Sequence, residues 1–141
     1  MADWLSPEIR SYIMSKIKSK DTKPELLVRK YLHHKGYRYR IHLKNLPGKP
    51  DIVLKKYQTV IFIHGCFWHG HARCKNYKPP KSNTEYWENK INRNKSNFVY
   101  QKNKLHDLGW NIITIWECQL SKKKIIETLT SLEKKIKKQI P

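Results

Sequence analysis

Acidic residues are scarce in this chain of 141: 11 Asp and Glu stand against 30 Lys and Arg, a formal net charge of +19. The imbalance runs the whole length of the sequence rather than one tail, which weighs against a merely solvated basic surface. It points to a polyanionic partner, a nucleic acid, because each neutralised phosphate releases counterions. Long apolar runs are also missing. None approaches the ~20 residues that a membrane span needs, and Met1 to Ser6 carries no signal-peptide pattern, so an intracellular protein is expected. Cysteine is rare and odd in number, with three residues, which argues against a disulfide framework. No C-x-x-C pair is present, so thiol redox chemistry is the weakest option. No internal repeat is visible. The length suits one domain with one core.

What is present alternates helical and strand patterns. Ser6-Pro7-Glu8 reads as a helix start, followed by Ile9, Ile13 and Ile17 every four residues. A second helix starts at Asp21-Thr22-Lys23-Pro24-Glu25, takes an apolar face from Leu26, Leu27, Tyr31 and Leu32, and ends at Gly36. Tyr37 to His42 alternates and predicts a strand. Asp51 to Leu54 and Thr59 to His64 predict two more, joined as a hairpin through Lys55 to Gln58. Thr84 to Leu108 reads as a long helix with Trp87, Ile91, Phe98 and Leu105 on one side. Trp110 to Trp116 reads as a strand, and Ile125, Leu129, Leu132 and Ile136 mark a terminal helix. The order predicts a small mixed α/β sheet with helices packed on it.

Two groups of residues carry chemistry. Cys66, His71 and Cys74 fall within nine residues, and Cys118 follows the Trp110 to Trp116 strand. Four such donors suit tetrahedral zinc in a closed structural site, which can contribute about 10–16 kcal/mol of apparent binding energy to folding. Spacing alone leaves His69 open in place of His71. The plainer alternative is one buried cysteine and two incidental loop cysteines. The second group is Pro50-Asp51 beside a strand that ends in His64. A carboxylate starting one hairpin strand and polar groups ending its neighbour is how several nucleases hold Mg²⁺ against a phosphate. The second strand usually carries an acid, one residue, then Lys; here those positions are Phe62 and His64, on one face by the period of two. The acid is missing and His replaces Lys. Glu25, His64 and His69 together offer an orienting acid, a phosphate-binding cation and a general base.

LPGKPD (46–51), VIFIHGCFWH (60–69), TEYW (84–87) and LGWNIITIWEC (108–118) together resemble the very short patch repair endonucleases of bacteria, the Vsr-type T:G mismatch nicking enzymes. The similarity runs from about Arg10 to Leu120, and HGCFWH is its most specific part. The resemblance implies a restriction-endonuclease-like fold of PD-(D/E)xK type: a mixed sheet flanked by helices, with a structural zinc site. It implies a Mg²⁺-dependent nick 5′ to the thymine of a T:G mismatch left by 5-methylcytosine deamination. Asp51 would be the principal Mg²⁺ ligand, with the backbone carbonyl of Ile63 as the second. His69 would be the general base, oriented by Glu25, and His64 would contact the scissile phosphate. Cys66, His71, Cys74 and Cys118 would hold Zn²⁺.

On the DNA side, Phe67, Trp68 and Trp87 would wedge beside the mismatch from the major groove. Unstacking there is cheaper than at a matched pair, and stacking on bases returns roughly 1–3 kcal/mol each. Met14 and Ile17 would lie against the minor groove, and Lys90 and Asn94 would read base edges. The plainer alternative places the three aromatics in the core and packs Met14 and Ile17 on the domain. Residues 1–20 are expected as a DNA-contacting helix and 21–141 as the nuclease domain. The implied protein is a bacterial, cytoplasmic, nucleoid-associated monomer on T:G-containing duplex DNA, with mismatch-repair proteins and a DNA polymerase as further partners. The chain departs from the family at Ile63, where Thr is common, and in one extra residue between His71 and Cys74. Competing readings are a restriction- or homing-associated nicking or cleaving nuclease of the same fold, and a zinc-stapled DNA-binding protein without catalysis.

Overall fold

Thr59-Val-Ile-Phe-Ile-His64 and Asn111-Ile-Ile-Thr-Ile-Trp116 are dense in β-branched and aromatic residues, which fit a pleated, buried surface. They form the two long strands of the sheet. The structure is a computed structural model that describes residues 22–66, 69–71, 74 and 81–138. In chain order its elements are α1 (Lys23–His34), β1 (Ile52–Leu54), a 3-10 turn (Lys55–Tyr57) and β2 (Thr59–His64). Then come α2 (Thr84–Asp107), β3 (Asn111–Trp116), a second 3-10 turn (Glu117–Leu120) and α3 (Ile125–Lys137). The sheet order is β1-β2-β3. β1 runs antiparallel to β2, with Ile52 opposite Ile61, and β3 runs parallel to β2, with His64 opposite Trp116.

Alternation along the strands divides the core in two. Ile52, Leu54, Ile61, Ile113 and Ile115 face α1 and α3, meeting Val28, Leu32, Leu129, Leu132 and Ile136. Val53, Val60 and Phe62 face the other way, toward Leu105 and Phe98 of α2. The sheet is therefore covered on both faces by helices. α2 attaches by a narrow seam: Trp87, Ile91 and Leu105 are buried and Asn94, Phe98 and Gln101 half-buried, a spacing of three and four residues. α1 and α3 are also stapled by Glu133, which accepts hydrogen bonds from the Tyr31 hydroxyl at 2.9 Å and the Tyr37 hydroxyl at 3.2 Å.

One expected strand is not formed. Between Tyr37 and His42 only Arg40 pairs, exchanging both backbone hydrogen bonds with Val53 at 2.9 Å. The inward alternation survives, since Tyr37, Tyr39 and Ile41 pack on the α1/α3 side. His42, however, has φ +58, a left-handed backbone that ends an extended ladder. The hairpin is present, but its connection is a 3-10 turn that leaves through Gln58 at φ +47. The helix expected at residues 1–20 lies outside the described residues. No described helix is long and apolar enough to cross a membrane.

Candidate functional site

The ends of β1 and β2 and the start of α1 meet at a cleft of about 840 Å³. Asp51, one residue before β1, donates its N–H to the Ile61 carbonyl at 3.1 Å. Its Oδ2 accepts the Ile63 N–H at 2.6 Å. The carboxylate is thereby fixed across the sheet end. Burial is the main influence on it and pushes it up to about 7; the Ile63 N–H opposes that shift, and the Glu25 carboxyl adds to it. Glu25 shares a hydrogen bond with Asp51 and forms a buried ion pair with Arg29 at 3.0 Å, one helical turn along α1. Two buried carboxyls brought together at the end of the sheet form a place that suits a hard cation.

Across the cleft are two imidazoles. His64 ends β2 and is 4% exposed. His69 lies flat on it, with ring centroids 3.7 Å apart and planes within 5°. Phe98 meets the His64 ring edge-on at 4.4 Å. Burial, and then the neighbouring His69, hold His64 down to about 3, and burial lowers His69 as well. The expected cationic His64 is therefore neutral in the DNA-free protein, because the apolar walls and the stacked ring leave a charge unsolvated. Among the described residues, the Nδ1 atoms of both rings are buried without a hydrogen-bond partner.

Beyond Trp116 stands the second cluster. Donor atoms of Cys66, His71, Cys74 and Cys118 all lie within 4.8 Å of one another, and Cys118 Sγ is 3.4 Å from His71 Nδ1. The pair β2 and β3 brings Cys66 and Cys118 together, because both follow the ends of adjacent parallel strands. Burial pushes the Cys66 thiol up to about 12 and raises Cys118 too. A group of three thiols and one imidazole, with Cys66 buried and the other three half-buried, is well matched to a soft or borderline divalent ion such as zinc. His71 is in this cluster, and His69 is on the His64 stack.

The remaining expected residues fall elsewhere. Lys90 is exposed and Asn94 half-buried on α2. Trp87, expected at the DNA, is only 8% exposed, because it begins the seam that attaches α2. Phe67, Trp68, Met14 and Ile17 lie outside the described residues. Sequence reasoning passed over Arg29, His42, Lys49, Gln101 and Glu117, which also line the cleft. The Glu25 to Arg29 spacing of four within a helix was a usable signal for the first. Lys49, left-handed at φ +48 in the turn before Pro50, lies within the LPGKPD motif.

A family model described as "DNA mismatch endonuclease Vsr" matches residues 2–76. The chain is 49% identical over 138 residues to "Type II nicking enzyme V.NmeAIP" of Neisseria meningitidis, covering 97% of this chain and 98% of that protein. It is 47% identical over 121 residues to "Type II nicking enzyme V.XorIIP" of Xanthomonas oryzae pv. oryzae, covering 86% and 88%. It is 39% identical over 120 residues to "DNA mismatch endonuclease Vsr" of Escherichia coli, covering 85% and 76%.

Proposed function

The chain belongs to the Vsr family of DNA mismatch endonucleases, and from that premise we propose that it nicks duplex DNA 5′ to the thymine of a T:G mismatch, with Mg²⁺. The observation that carries this reading is the cleft in which Asp51, anchored by Ile63 N–H at 2.6 Å, faces the stacked His64 and His69. We assign the fold to the PD-(D/E)xK type on the same ground: a carboxylate at the start of one hairpin strand and a polar residue at the end of its neighbour.

Asp51 and the Ile63 carbonyl would hold Mg²⁺, which when bound neutralises charge on the scissile phosphate. An N–H and a C=O of one strand residue point to the same edge, so the Ile63 carbonyl turns toward Asp51 as its N–H does. The group used is backbone, which makes Ile63 an adequate substitute for Thr. His69, kept neutral by burial, has a ring nitrogen free to take a proton from the attacking water. Glu25, paired with Arg29 beside Asp51, orients that end of the cleft. His64, also neutral, donates a ring N–H to the phosphate in place of a lysine. Protonation of His69 is tolerable because the ring beneath it carries no charge.

Phe67 and Trp68 wedge at the mismatch, Met14 and Ile17 of the 1–20 segment contact the minor groove, and Lys90 and Asn94 read base edges. Residues 21–141 form the nuclease domain. Cys66, His71, Cys74 and Cys118 would hold Zn²⁺, which would tie the loop after β2 to the end of β3. Two relatives carry the name nicking enzyme, which supports cutting one strand over cleaving both.

The test is an end-labelled duplex with one T:G mismatch in varied flanking sequence, with Mg²⁺ or EDTA, beside Asp51→Ala. A single Mg²⁺-dependent nick 5′ to the T, absent on T:A and in the variant, is expected. Cutting of both strands of matched DNA, or tight mismatch binding with no cutting in any context, would overturn the reading.

A further inference from the structure

Trp116 belongs to neither cluster, yet it touches both. Its position follows from β-sheet register: it is opposite His64 on the parallel ladder, so the two side chains leave the sheet on one face. The indole meets the His64 ring edge-on, with centroids 5.1 Å apart and planes at 81°, and meets His69 in the same manner at 6.3 Å and 80°. Its face lies against His71, with centroids 4.0 Å apart and planes within 5°. The backbone N–H of Trp116 donates to Gln119 Oε1 at 2.9 Å, which holds the residue at the strand end.

His69 and His71 are separated only by Gly70, whose φ is +56. A Cβ there would fall 2.7 Å from Ile91 Cγ2 and 2.6 Å from Lys95 Cε, so the loop is pressed onto α2 at this point. The two histidines thus diverge from a constrained residue. One enters the His64 stack and the other the Cys/His cluster, with the indole as the rigid plate between them.

We propose that Trp116 is a positioning residue, a plate through which the metal cluster fixes the orientation of the His64–His69 pair. This rests on the roles assigned above to those two histidines. A metal ion that draws His71 to its place would set the plane of the indole, and the indole edge sets the tilt of His64 and, through the stack, of His69. Aromatic edge-to-face contacts are directional, so an aliphatic side chain of similar volume cannot transmit that orientation.

The test compares wild type, Trp116→Leu and Trp116→Phe, each loaded with zinc or with cadmium, whose longer bonds to sulfur and nitrogen displace His71. Histidine ring resonances are followed by NMR, and single-turnover nicking is measured at saturating T:G duplex. In the wild type, cadmium exchange should shift the ring signals of His71, His64 and His69. In Trp116→Leu the His71 shift should persist while those of His64 and His69 disappear. Nicking should fall about 10- to 100-fold with DNA affinity within twofold, and Trp116→Phe should recover most of both. Equal cadmium responses of His64 and His69 with and without the indole would overturn the proposal, because the Gly70 backbone would then carry the coupling. A nicking loss explained by lost zinc or lost DNA affinity would also overturn it. If the wild type nicks nothing, the functional reading falls, whereas the ring response needs no substrate and still decides the role of Trp116.

Discussion

Asp51→Asn should make the protein more stable and catalytically dead, and the gain should depend on pH. Burial, partly countered by the Ile63 N–H, raises the Asp51 carboxyl from 3.8 to about 7. That rise corresponds to about 4 kcal/mol of extra cost for ionising the group in the fold rather than in the unfolded chain. Between 3.8 and about 7 the folded protein holds a proton that the unfolded chain has released. Stability therefore falls as pH rises through that window, and the full cost is present above about 7. Asparagine never ionises and keeps an oxygen for the Ile63 N–H. Local relaxation around the site reduces the gain, so the zinc-loaded, Mg²⁺-free variant should exceed wild type by about 2–4 kcal/mol at pH 8 and by about half that or less at pH 5. Urea unfolding of both proteins at the two pH values measures this, and the pH dependence of the zinc cluster cancels in the difference. Millimolar Mg²⁺ at pH 8 should raise the midpoint of wild type alone, by mass action on the folded state. A variant less stable than wild type at pH 8, or a difference that ignores pH, would refute the reasoning.

Cys118→Ser removes one donor of a closed four-donor site, so zinc content and thermal midpoint should both drop; unchanged zinc by metal analysis would refute the four-ligand assignment. Trp68→Ala should weaken discrimination between T:G and T:A duplexes more than nonspecific binding, and equal losses on both duplexes would count against the wedge. Glu133→Gln should cost about 1–2 kcal/mol, because two tyrosine hydroxyls lose a charged acceptor in a partly exposed setting. Its nicking rate should stay at the wild-type value. The Tyr31 hydroxyl bond, then Lys137 and the Tyr37 hydroxyl, hold Glu133 below its usual range, so this contribution is present at neutral pH and is lost as pH falls below 4.5 through the lowered value.

Much of this protein was legible along the chain. Polyanion affinity followed from a charge of +19, and helices α1, α2 and α3 followed from apolar spacing of three and four residues. β2 and β3 followed from β-branched runs bounded by turn residues. The four cluster donors could be grouped because three are close in sequence and the fourth ends a strand. These are local or composition properties, and short-range patterns encode them. The tertiary structure decided the rest. It reduced the strand at 37–42 to one bridge, since His42 turns left-handed. It buried Trp87 in the α2 seam and joined Glu25 to Asp51 from separate elements. It also sent His69 and His71 to different clusters and set Trp116 between them. Each of these depends on which side chains meet across the sheet end. That is a matter of strand register and of packing between residues far apart in sequence, which no periodicity within a single segment records.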